Sequence, residues 1–304
     1  MKETSAFSPC HITGLFQIFN QSTDALHVGS RGAGVSLTHG VTTIVRARHA
    51  EKSSLQISVK GTHSDSAEVS RHVANALISH FEEAKNLEVT VKHYLDLPVG
   101  AGFGTSGAAA LSLSLAMNDA LDLGMSKIEA SQFAHVAEVE CKTGLGTVIA
   151  EAFGGMEIRV KPGAPGIGQI RRIPVRKDYS VVCMAFGSLS TRTLLNDKGI
   201  RGRVNKFGGE LVDRLLEKPS VADFMEMSRQ FAEQVGLIPP RVSKIIEATD
   251  EASFICSMPM FGKAVFTLVE HDSLEELLRL LGKHNSGGRL IISSVDRMGA
   301  RLLA

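Results

Sequence analysis

The sequence predicts an α+β fold, and three stretches indicate it. Residues 87–94 alternate apolar and polar side chains, which is the period-two pattern of a half-buried strand. Residues 108–121 are almost continuously apolar and rich in good helix formers, which predicts a helix buried on nearly all sides. Residues 180–294 mix strand-like apolar runs with helical patterns. Strands and helices mixed in this way are typical of an α+β domain.

The other elements are predicted from local patterns, in chain order. Those before the buried helix are an apolar segment at 7–20, a glycine-rich turn and β-branched strand at 27–45, a short strand at 55–59 and an amphipathic helix at 67–84. Ser126 and Glu129 form a capping box that opens a second helix reaching about Glu140. Proline and glycine cluster at 162–166, the predicted hinge between two halves. Beyond it we predict strands at 180–186, 252–257, 263–269 and 289–294, and helices at 204–217, 220–235, 241–249 and 273–283.

Composition argues against several classes of function. Lys plus Arg number 33 and Asp plus Glu 32, a net charge of +1, and no basic run is long enough to follow a nucleic-acid backbone. The N-terminus lacks the apolar core of a signal peptide, and the most apolar segment is too short to span a bilayer. The four cysteines are widely spaced without a C-x-x-C pair, which favours neither a zinc site nor disulfides. We therefore expect a cytoplasmic protein with no nucleic-acid or membrane partner.

A glycine-rich loop joins the predicted strand to the buried helix. Gly100, Gly102, Gly104 and Gly107 permit positive φ and let a ligand approach the backbone without a Cβ in the way. The first amides of the following helix have no intrahelical partner and carry a partial positive charge. The join therefore predicts a phosphate-binding site.

Three interpretations of this loop compete. Gly102, Gly104 and Gly107 match G-x-G-x-x-G, but a dinucleotide fingerprint requires a βαβ unit with an acidic residue roughly 20 positions later, and a second helical pattern follows here instead. A Walker loop requires a lysine, and none occurs between Lys92 and Lys127. A structural glycine loop beside a packed helix is the remaining alternative.

The loop also resembles the central motif of the GHMP kinase superfamily, whose usual form is P-x-x-x-G-[LF]-G-S-S-A. Here it runs from Pro98 to Ala108; Thr105 stands for the first serine and keeps the hydroxyl, and Gly107 stands for an alanine. The resemblance implies an ATP-dependent small-molecule kinase. It also implies two domains, an N-terminal domain like the second domain of ribosomal protein S5 at 1–170 and a ferredoxin-like domain at 171–304. The residues that it implies for ATP binding are Pro98, Gly100, Gly102, Phe103, Gly104, Thr105, Ser106 and Gly107.

Glu138 is the candidate magnesium ligand. Ala130, Ala134 and Glu138 are spaced four apart, so the carboxylate shares a helix stripe with two small residues and can be aimed into a shared site. The superfamily carries its magnesium-binding glutamate in a similar A-x-x-x-E element, and its metal-binding serine matches Ser106. One carboxylate, one hydroxyl and nucleotide phosphates would suffice for Mg²⁺. Alternatively, Glu138 is a surface glutamate on an exposed helix. Glu140 is the second candidate for the magnesium ligand.

Two segments resemble the archaeal pantoate kinase branch of the superfamily. The first is Ser8-Pro9-Cys10-His11 and the second is the glycine-rich stretch 29–34, which contains Arg31. The planar guanidinium of Arg31 suits a carboxylate, which pantoate carries, so Arg31 is a candidate substrate anchor. His11 is a candidate for binding substrate or phosphate. Alternatively, Arg31 is a solvent-exposed arginine in a turn, and His11 is a structural histidine whose hydrogen bonds are made at the edge of a strand.

Thr147 stands where relatives often carry the aspartate of TGLGDV, a proposed general base. Phosphoryl transfer depends mainly on positioning and charge neutralisation, so a kinase can work without a strong base. Thr147 or His11 is then hypothesised to orient the substrate hydroxyl. Residues 258–266 occupy the position of the third GHMP motif, whose Gly262 would close over phosphate, although an ordinary hairpin is the alternative.

Taken together, the resemblance implies a kinase that binds ATP and Mg²⁺ and phosphorylates pantoate for coenzyme A biosynthesis. A homoserine- or mevalonate-type kinase and a non-catalytic ligand sensor are the alternatives. A homodimer is expected from relatives.

Overall fold

The structure is a computed structural model that describes residues 2–60, 67–189 and 197–304. Its strands are β1 (Lys2–Phe19), β2 (Gly29–His49), β3 (Ser54–Lys60), β4 (Leu87–Leu95), β5 (Met156–Lys161), β6 (Gln169–Arg172), β7 (Tyr179–Ser188), β8 (Gly262–Glu270), β9 (Arg289–Ser294) and β10 (Arg301–Leu303). Its α-helices are α1 (Glu68–His80), α2 (Thr105–Ala120), α3 (Lys127–Glu140), α4 (Thr147–Phe153), α5 (Lys198–Glu217), α6 (Val221–Val235), α7 (Pro240–Glu251) and α8 (His271–His284). Short 3₁₀ turns occupy Ala25–His27 and Glu82–Ala84.

A seven-stranded sheet is built around the long strand β2. Its main path has the order β10-β1-β2-β4-β3, with β5 paired to the first part of β2 and β6 paired to β5. Only the β3 and β4 pair is parallel among these described pairings, and α1 makes the crossover between the two strands. Because β1 pairs with β2 along most of its length, β5 (at Gly32–Val35) and β4 (at Val41–His49) both pair with the other edge of β2, one after the other.

Two hydrophobic cores hold the chain together. Helices α1, α2 and α3 pack against β2 and β4 around residues such as Val45, Leu77 and Leu111. The other core joins β1 and β2 to α5, α6 and the antiparallel sheet β8-β7-β9. In it the ring of Phe16 lies 5.8 Å from that of Phe231 and 5.5 Å from that of Phe261. The site described below lies where these two cores meet.

Most predicted elements are confirmed, including the strand at 87–94, the buried helix and the second helix. The capping box is present, with the Ser126 hydroxyl accepting from the Glu129 amide and the Glu129 carboxylate accepting from the Ser126 amide. The strand predicted at 252–257 is wrong, because Ser253 has a left-handed backbone (φ 63°) and only Ser257 forms a bridge, to Phe266. The last strand, β10, was not predicted; it returns to pair with β1.

The division into domains at residues 170 and 171 stays a prediction. The segment predicted as a hinge, 162–166, connects β5 to β6 within the large sheet, and the Ala164 amide there donates to the Leu26 carbonyl at 2.8 Å. No helix among the described residues is long and apolar enough to cross a membrane.

Candidate active site

A cavity of about 360 Å³ opens at the N-terminus of α2. The glycine loop lines it together with residues of β1 to β5, of α1 and α3 and of the turn before α4. The lining residues that carry polar chemistry are His11, Thr13, Ser30, Glu68, Ser70, His93, Thr105, Ser106, Glu138, Thr143, Thr147 and Arg159. Of the predicted nucleotide-binding residues, Gly100, Gly102, Phe103, Gly104, Thr105 and Ser106 line it, whereas Pro98, Gly107 and Gly262 are not among the lining residues.

The glycine loop leaves the start of α2 open to a ligand. Gly104 is the N-cap and has a left-handed backbone (φ 63°), and no side chain caps the helix. The first amides of α2 therefore point toward the cavity without a capping partner. Phe103 is buried, and its carbonyl accepts from the His11 amide at 2.9 Å, which fixes the loop to β1. A β-bulge between Pro9 and His11 lies at this attachment, and bulges commonly redirect a strand beside a site.

Gly262 supports the loop from the other side. A Cβ on Gly262 would lie 2.0 Å from the carbonyl oxygen of Ala101 and 2.7 Å from the Cα of Gly102. The two backbones are therefore in direct contact, which only glycine at 262 permits. Its neighbours Met260 and Phe261 line the cavity instead.

Ser106 and Glu138 lie together at the cavity wall. The Ser106 hydroxyl donates to Oε1 of Glu138 at 2.6 Å, and the Thr143 hydroxyl donates to the same oxygen at 2.6 Å. Burial raises the pKa of the Glu138 carboxyl, and these two hydrogen bonds oppose that rise. A Cβ on Gly144 would lie 2.0 Å from Oε2, so the backbone of the turn packs directly on the carboxylate.

His11 and Arg159 share a buried carboxylate, that of Glu157. Oε1 of Glu157 lies 2.9 Å from Nε2 of His11 and accepts from Nη1 of Arg159 at 2.8 Å. All three side chains are at most 2% exposed. Nε of Arg159 has no hydrogen-bond partner within the described part of the chain, although the residue lines the cavity. Burial lowers the pKa of the Arg159 guanidinium, and Glu157 beside it opposes that effect.

Arg31, the arginine singled out from the sequence, does not line the cavity. It is paired with Gln17 across the strand register, and its guanidinium donates to Oδ1 of Asp213 on α5. The cavity instead receives the guanidinium of Arg159, on β5. A signal for this residue exists in the sequence, since Glu157 and Arg159 are two apart in a short β-branched run and must therefore share a sheet face.

Thr147 begins α4 at the cavity wall, and Glu151 lies one turn further along the same helix. Glu151 is fully buried beneath the glycine loop. Its Oε1 lies 2.7 Å from where a Cβ on Gly104 would be, and its Oε2 lies 2.8 Å from the same point on Gly107. Neither oxygen has a hydrogen-bond partner in the described residues, and burial together with the neighbouring Glu138 holds the pKa of this carboxyl well above its usual range.

Comparison with known proteins identifies relatives over nearly the whole length. Residues 69–155 match the family model of the GHMP kinases N terminal domain. A pantoate kinase of Thermococcus kodakarensis is 36% identical over 292 residues, covering 92% of each chain. A solved structure described as a phosphotransferase related to the CoA biosynthesis pathway superposes with a TM-score of 0.88 at 32% identity, covering 99% of this chain and 98% of that one. A homoserine kinase from Cytophaga hutchinsonii has the same fold, with a TM-score of 0.70 at 15% identity over 100% of this chain and 98% of its own.

Proposed function

The chain belongs to the pantoate kinase family of the GHMP kinase superfamily, and from that premise we propose that it transfers the γ-phosphoryl group of ATP to the 4-hydroxyl of pantoate. The products are 4-phosphopantoate and ADP, in the route to coenzyme A. The observation that carries the proposal is that the open N-terminus of α2, the Ser106 and Glu138 pair and the buried guanidinium of Arg159 all line one cavity.

The nucleotide phosphates are proposed to lie on the glycine loop. Backbone amides of Gly104, Thr105 and Ser106 face a cavity in which no side chain caps α2, and the helix dipole adds partial positive charge at that point. Gly100, Gly102 and Phe103 shape the loop, Pro98 precedes it in the chain, and Gly107 and Gly262 permit close packing against it without lining the cavity.

The donor set at Ser106 and Glu138 fits a magnesium ion. Both groups offer oxygen ligands, they lie within 2.6 Å of each other beside the phosphate site, and the carboxylate is buried. We propose that Glu138 and the Ser106 hydroxyl would hold Mg²⁺ with phosphate oxygens and water. When bound, the ion would neutralise charge on the β- and γ-phosphate oxygens during transfer.

Pantoate is proposed to bind at the Arg159 end of the cavity. Glu157 holds Nη1 of Arg159, and Nη2 donates to the Thr13 hydroxyl at 3.4 Å, so the guanidinium is fixed at the cavity wall, where its positive charge would attract the pantoate carboxylate. His11 also binds Glu157, and its Nδ1 lies 3.3 Å from the Thr13 hydroxyl, so both of its ring nitrogens are engaged by protein groups. In this scheme His11 orients Glu157 and Arg159 rather than contacting phosphate.

Thr147 is proposed to orient the attacking hydroxyl. In the transfer, the 4-hydroxyl oxygen bonds to the γ-phosphorus while the bond from that phosphorus to the bridging oxygen breaks, the hydroxyl proton is released to solvent, and ADP leaves. Such transfers depend mainly on alignment and charge neutralisation, so a hydroxyl at position 147 is compatible with turnover. Glu151 is buried behind the loop and does not reach the cavity.

The proposal is tested by identifying the product. The protein is incubated with ATP, magnesium and pantoate, and the phosphorus spectrum is recorded by NMR with proton coupling retained. Transfer to the 4-hydroxyl places phosphorus next to a methylene group and gives a triplet. A doublet would mean transfer to the 2-hydroxyl, and an unchanged ATP spectrum would contradict the proposal.

We also propose two features that are expected from relatives. The chain divides into two domains between residues 170 and 171, and two chains form a homodimer. Light scattering on the purified protein gives the mass in solution. A mass equal to that of one chain would contradict the homodimer and leave the kinase proposal unaffected.

A further inference from the structure

A turn formed by residues 259–262 packs against the glycine loop on one side. The Gly262 amide donates to the Pro259 carbonyl at 3.2 Å, which closes the turn. A Cβ on Gly102 of the glycine loop would lie 2.8 Å from the Cβ of Pro259 and 3.0 Å from the Cα of Gly262. The turn is therefore fixed to the loop on which the nucleotide phosphates are proposed to lie.

The other side of the turn is tied to the guanidinium of Arg159 through Thr13. The Met260 amide donates to the Thr13 carbonyl at 3.0 Å, and the Thr13 hydroxyl accepts from Nη2 of Arg159 at 3.4 Å. The two central residues of the turn, Met260 and Phe261, line the cavity. The wall that they form extends between the proposed phosphate site and the proposed carboxylate site, where the carbon chain of the acceptor must run.

Phe261 has a backbone conformation that phenylalanine rarely adopts. Its φ is 59°, in the left-handed region, and turns with such a residue at their third position favour glycine or asparagine. Strained residues of this kind cluster at ligand sites, where the contribution of the side chain offsets the strain. The phenyl ring makes a T-shaped contact with the ring of Phe16, with centroids 5.5 Å apart, and it also lines the cavity.

Phe16 continues this apolar wall as far as the guanidinium of Arg159. The position of a Cβ on Gly32 lies 2.8 Å from the Cβ of Phe16 and 2.6 Å from Nη2 of Arg159, so the two side chains are neighbours. Phe16, Met260 and Phe261 all line the cavity and are at most 7% exposed. Three apolar side chains therefore lie beside a buried positive charge, an arrangement that suits a carboxylate attached to a branched hydrocarbon.

We propose that Phe16, Met260 and Phe261 select the acceptor by enclosing the two methyl groups on carbon 3 of pantoate. The inference rests on the proposed function, because it places the pantoate carboxylate at Arg159 and the 4-hydroxyl toward the nucleotide. Carbon 3 lies between those two groups and so meets the apolar wall. A hydroxy acid without the methyl groups would make the same polar contacts but bury less apolar surface, and it is therefore bound less tightly.

The test compares the binding of pantoate with that of 2,4-dihydroxybutanoate, which lacks the two methyl groups. Each is titrated by calorimetry into the protein with magnesium and AMPPCP, an ATP analogue that does not transfer its γ-phosphoryl group. Wild type is expected to bind pantoate about tenfold more tightly or better. Phe261→Gly removes the ring and leaves the left-handed backbone unstrained, so pantoate should bind about tenfold more weakly while 2,4-dihydroxybutanoate changes less than about twofold.

Phe231→Leu is the matched control for packing. The ring of Phe231 also contacts that of Phe16, with centroids 5.8 Å apart, but Phe231 is not among the residues that line the cavity. Phe231→Leu should therefore leave the ratio of the two affinities unchanged. Met260→Ala shortens the wall at a second position and should lower the preference for pantoate, as Phe261→Gly does.

Equal wild-type affinities for the two acceptors, or a ratio that Phe261→Gly leaves unchanged, would overturn the inference. A parallel loss of both affinities in that variant would indicate a structural effect and would overturn it as well. Preferential binding of pantoate that both wall variants abolish, in a protein that transfers no phosphoryl group from ATP to pantoate, would contradict the proposed function and leave this inference standing.

Discussion

The hydroxyl of Ser106 lies 2.6 Å from Oε1 of Glu138, so the first turn of α2 is tied to the last turns of α3. The two residues are 32 positions apart in the sequence. Their contact places a buried carboxylate beside the open N-terminus of a helix, which suits the magnesium-bound triphosphate that we propose binds here.

Removing the charge of Glu138 should abolish most of the activity. In Glu138→Gln we expect kcat to fall about 100-fold or more, because charge stabilisation in the transition state would depend on the magnesium that we propose this carboxylate holds. Glu140→Gln is the control, since Glu140 is half exposed and its Oε2 lies 2.6 Å from Nε2 of His72 rather than in the cavity. Its kcat should stay within about twofold of wild type. The two variants are compared in a magnesium titration, and equal losses would contradict the assignment of Glu138.

Arg159 and Arg31 give opposite expectations for substrate binding. Arg159→Lys keeps the charge but loses the planar fork, and we expect KM for pantoate to rise about 10- to 100-fold while KM for ATP changes little. Arg31→Lys should leave both constants near wild type, because Arg31 is engaged by Asp213 outside the cavity. Steady-state kinetics with each substrate varied in turn decides the matter. A selective rise of KM for pantoate in the Arg31 variant alone would restore the anchor predicted from the sequence.

A methyl group at Gly262 should disturb the nucleotide loop. The added Cβ would lie 2.0 Å from the Ala101 carbonyl, a backbone atom that cannot swing aside. We expect Gly262→Ala to raise KM for ATP about tenfold and to lower Tm by several degrees. Gly282→Ala, inside α8, is the control, because its Cβ would meet no described heavy atom within 4 Å beyond its chain neighbours and the adjacent helix backbone. That variant should be slightly stabilised by the better helix former, with unchanged kinetics.

The buried carboxyl group of Glu151 should make the folded protein less stable as the pH rises. Its folded-state pKa is raised above the usual 4.5 by burial and by nearby Glu138 and Glu157, against the opposing charge of Arg159. Between the unfolded and folded pKa values the folded state holds a proton that the unfolded state has lost, so raising the pH favours unfolding. Glu151→Gln removes this effect.

Urea unfolding of Glu151→Gln and wild type should therefore diverge with pH. The variant's gain in free energy of unfolding is expected to be small near about pH 5 and to increase toward about pH 8. Cys10 also lies close to Glu151, but its thiol pKa is raised by burial and it stays neutral in both proteins. A difference between the two proteins that is constant across this range would contradict a protonated Glu151.

The sequence was informative where a local pattern determines the structure. The β4 strand, the glycine loop and α2 follow from periodicity and from glycines that adopt positive φ, and the α3 capping box follows from Ser126 and Glu129. Ser106 and Glu138 were both named from motifs, and the structure brings them into contact.

What the sequence could not supply are contacts between distant segments. Arg31 reaches Asp213, 182 positions away, and no local pattern reports that pairing. Glu157 and Arg159 are charged residues in a short strand, a pattern that usually indicates a solvent-exposed face, and they are buried because β5 lies inside the sheet, between β2 and β6. The three residues of β10 are too few to show a period.

Release of ADP by the purified protein with ATP and magnesium tests the central claim most directly. Pantoate, homoserine, mevalonate and no acceptor are assayed in parallel. We predict turnover with pantoate and only background with the other three. Turnover with homoserine or mevalonate instead would contradict the choice of substrate, and background in all four assays despite measurable ATP binding would indicate a ligand sensor in place of a kinase.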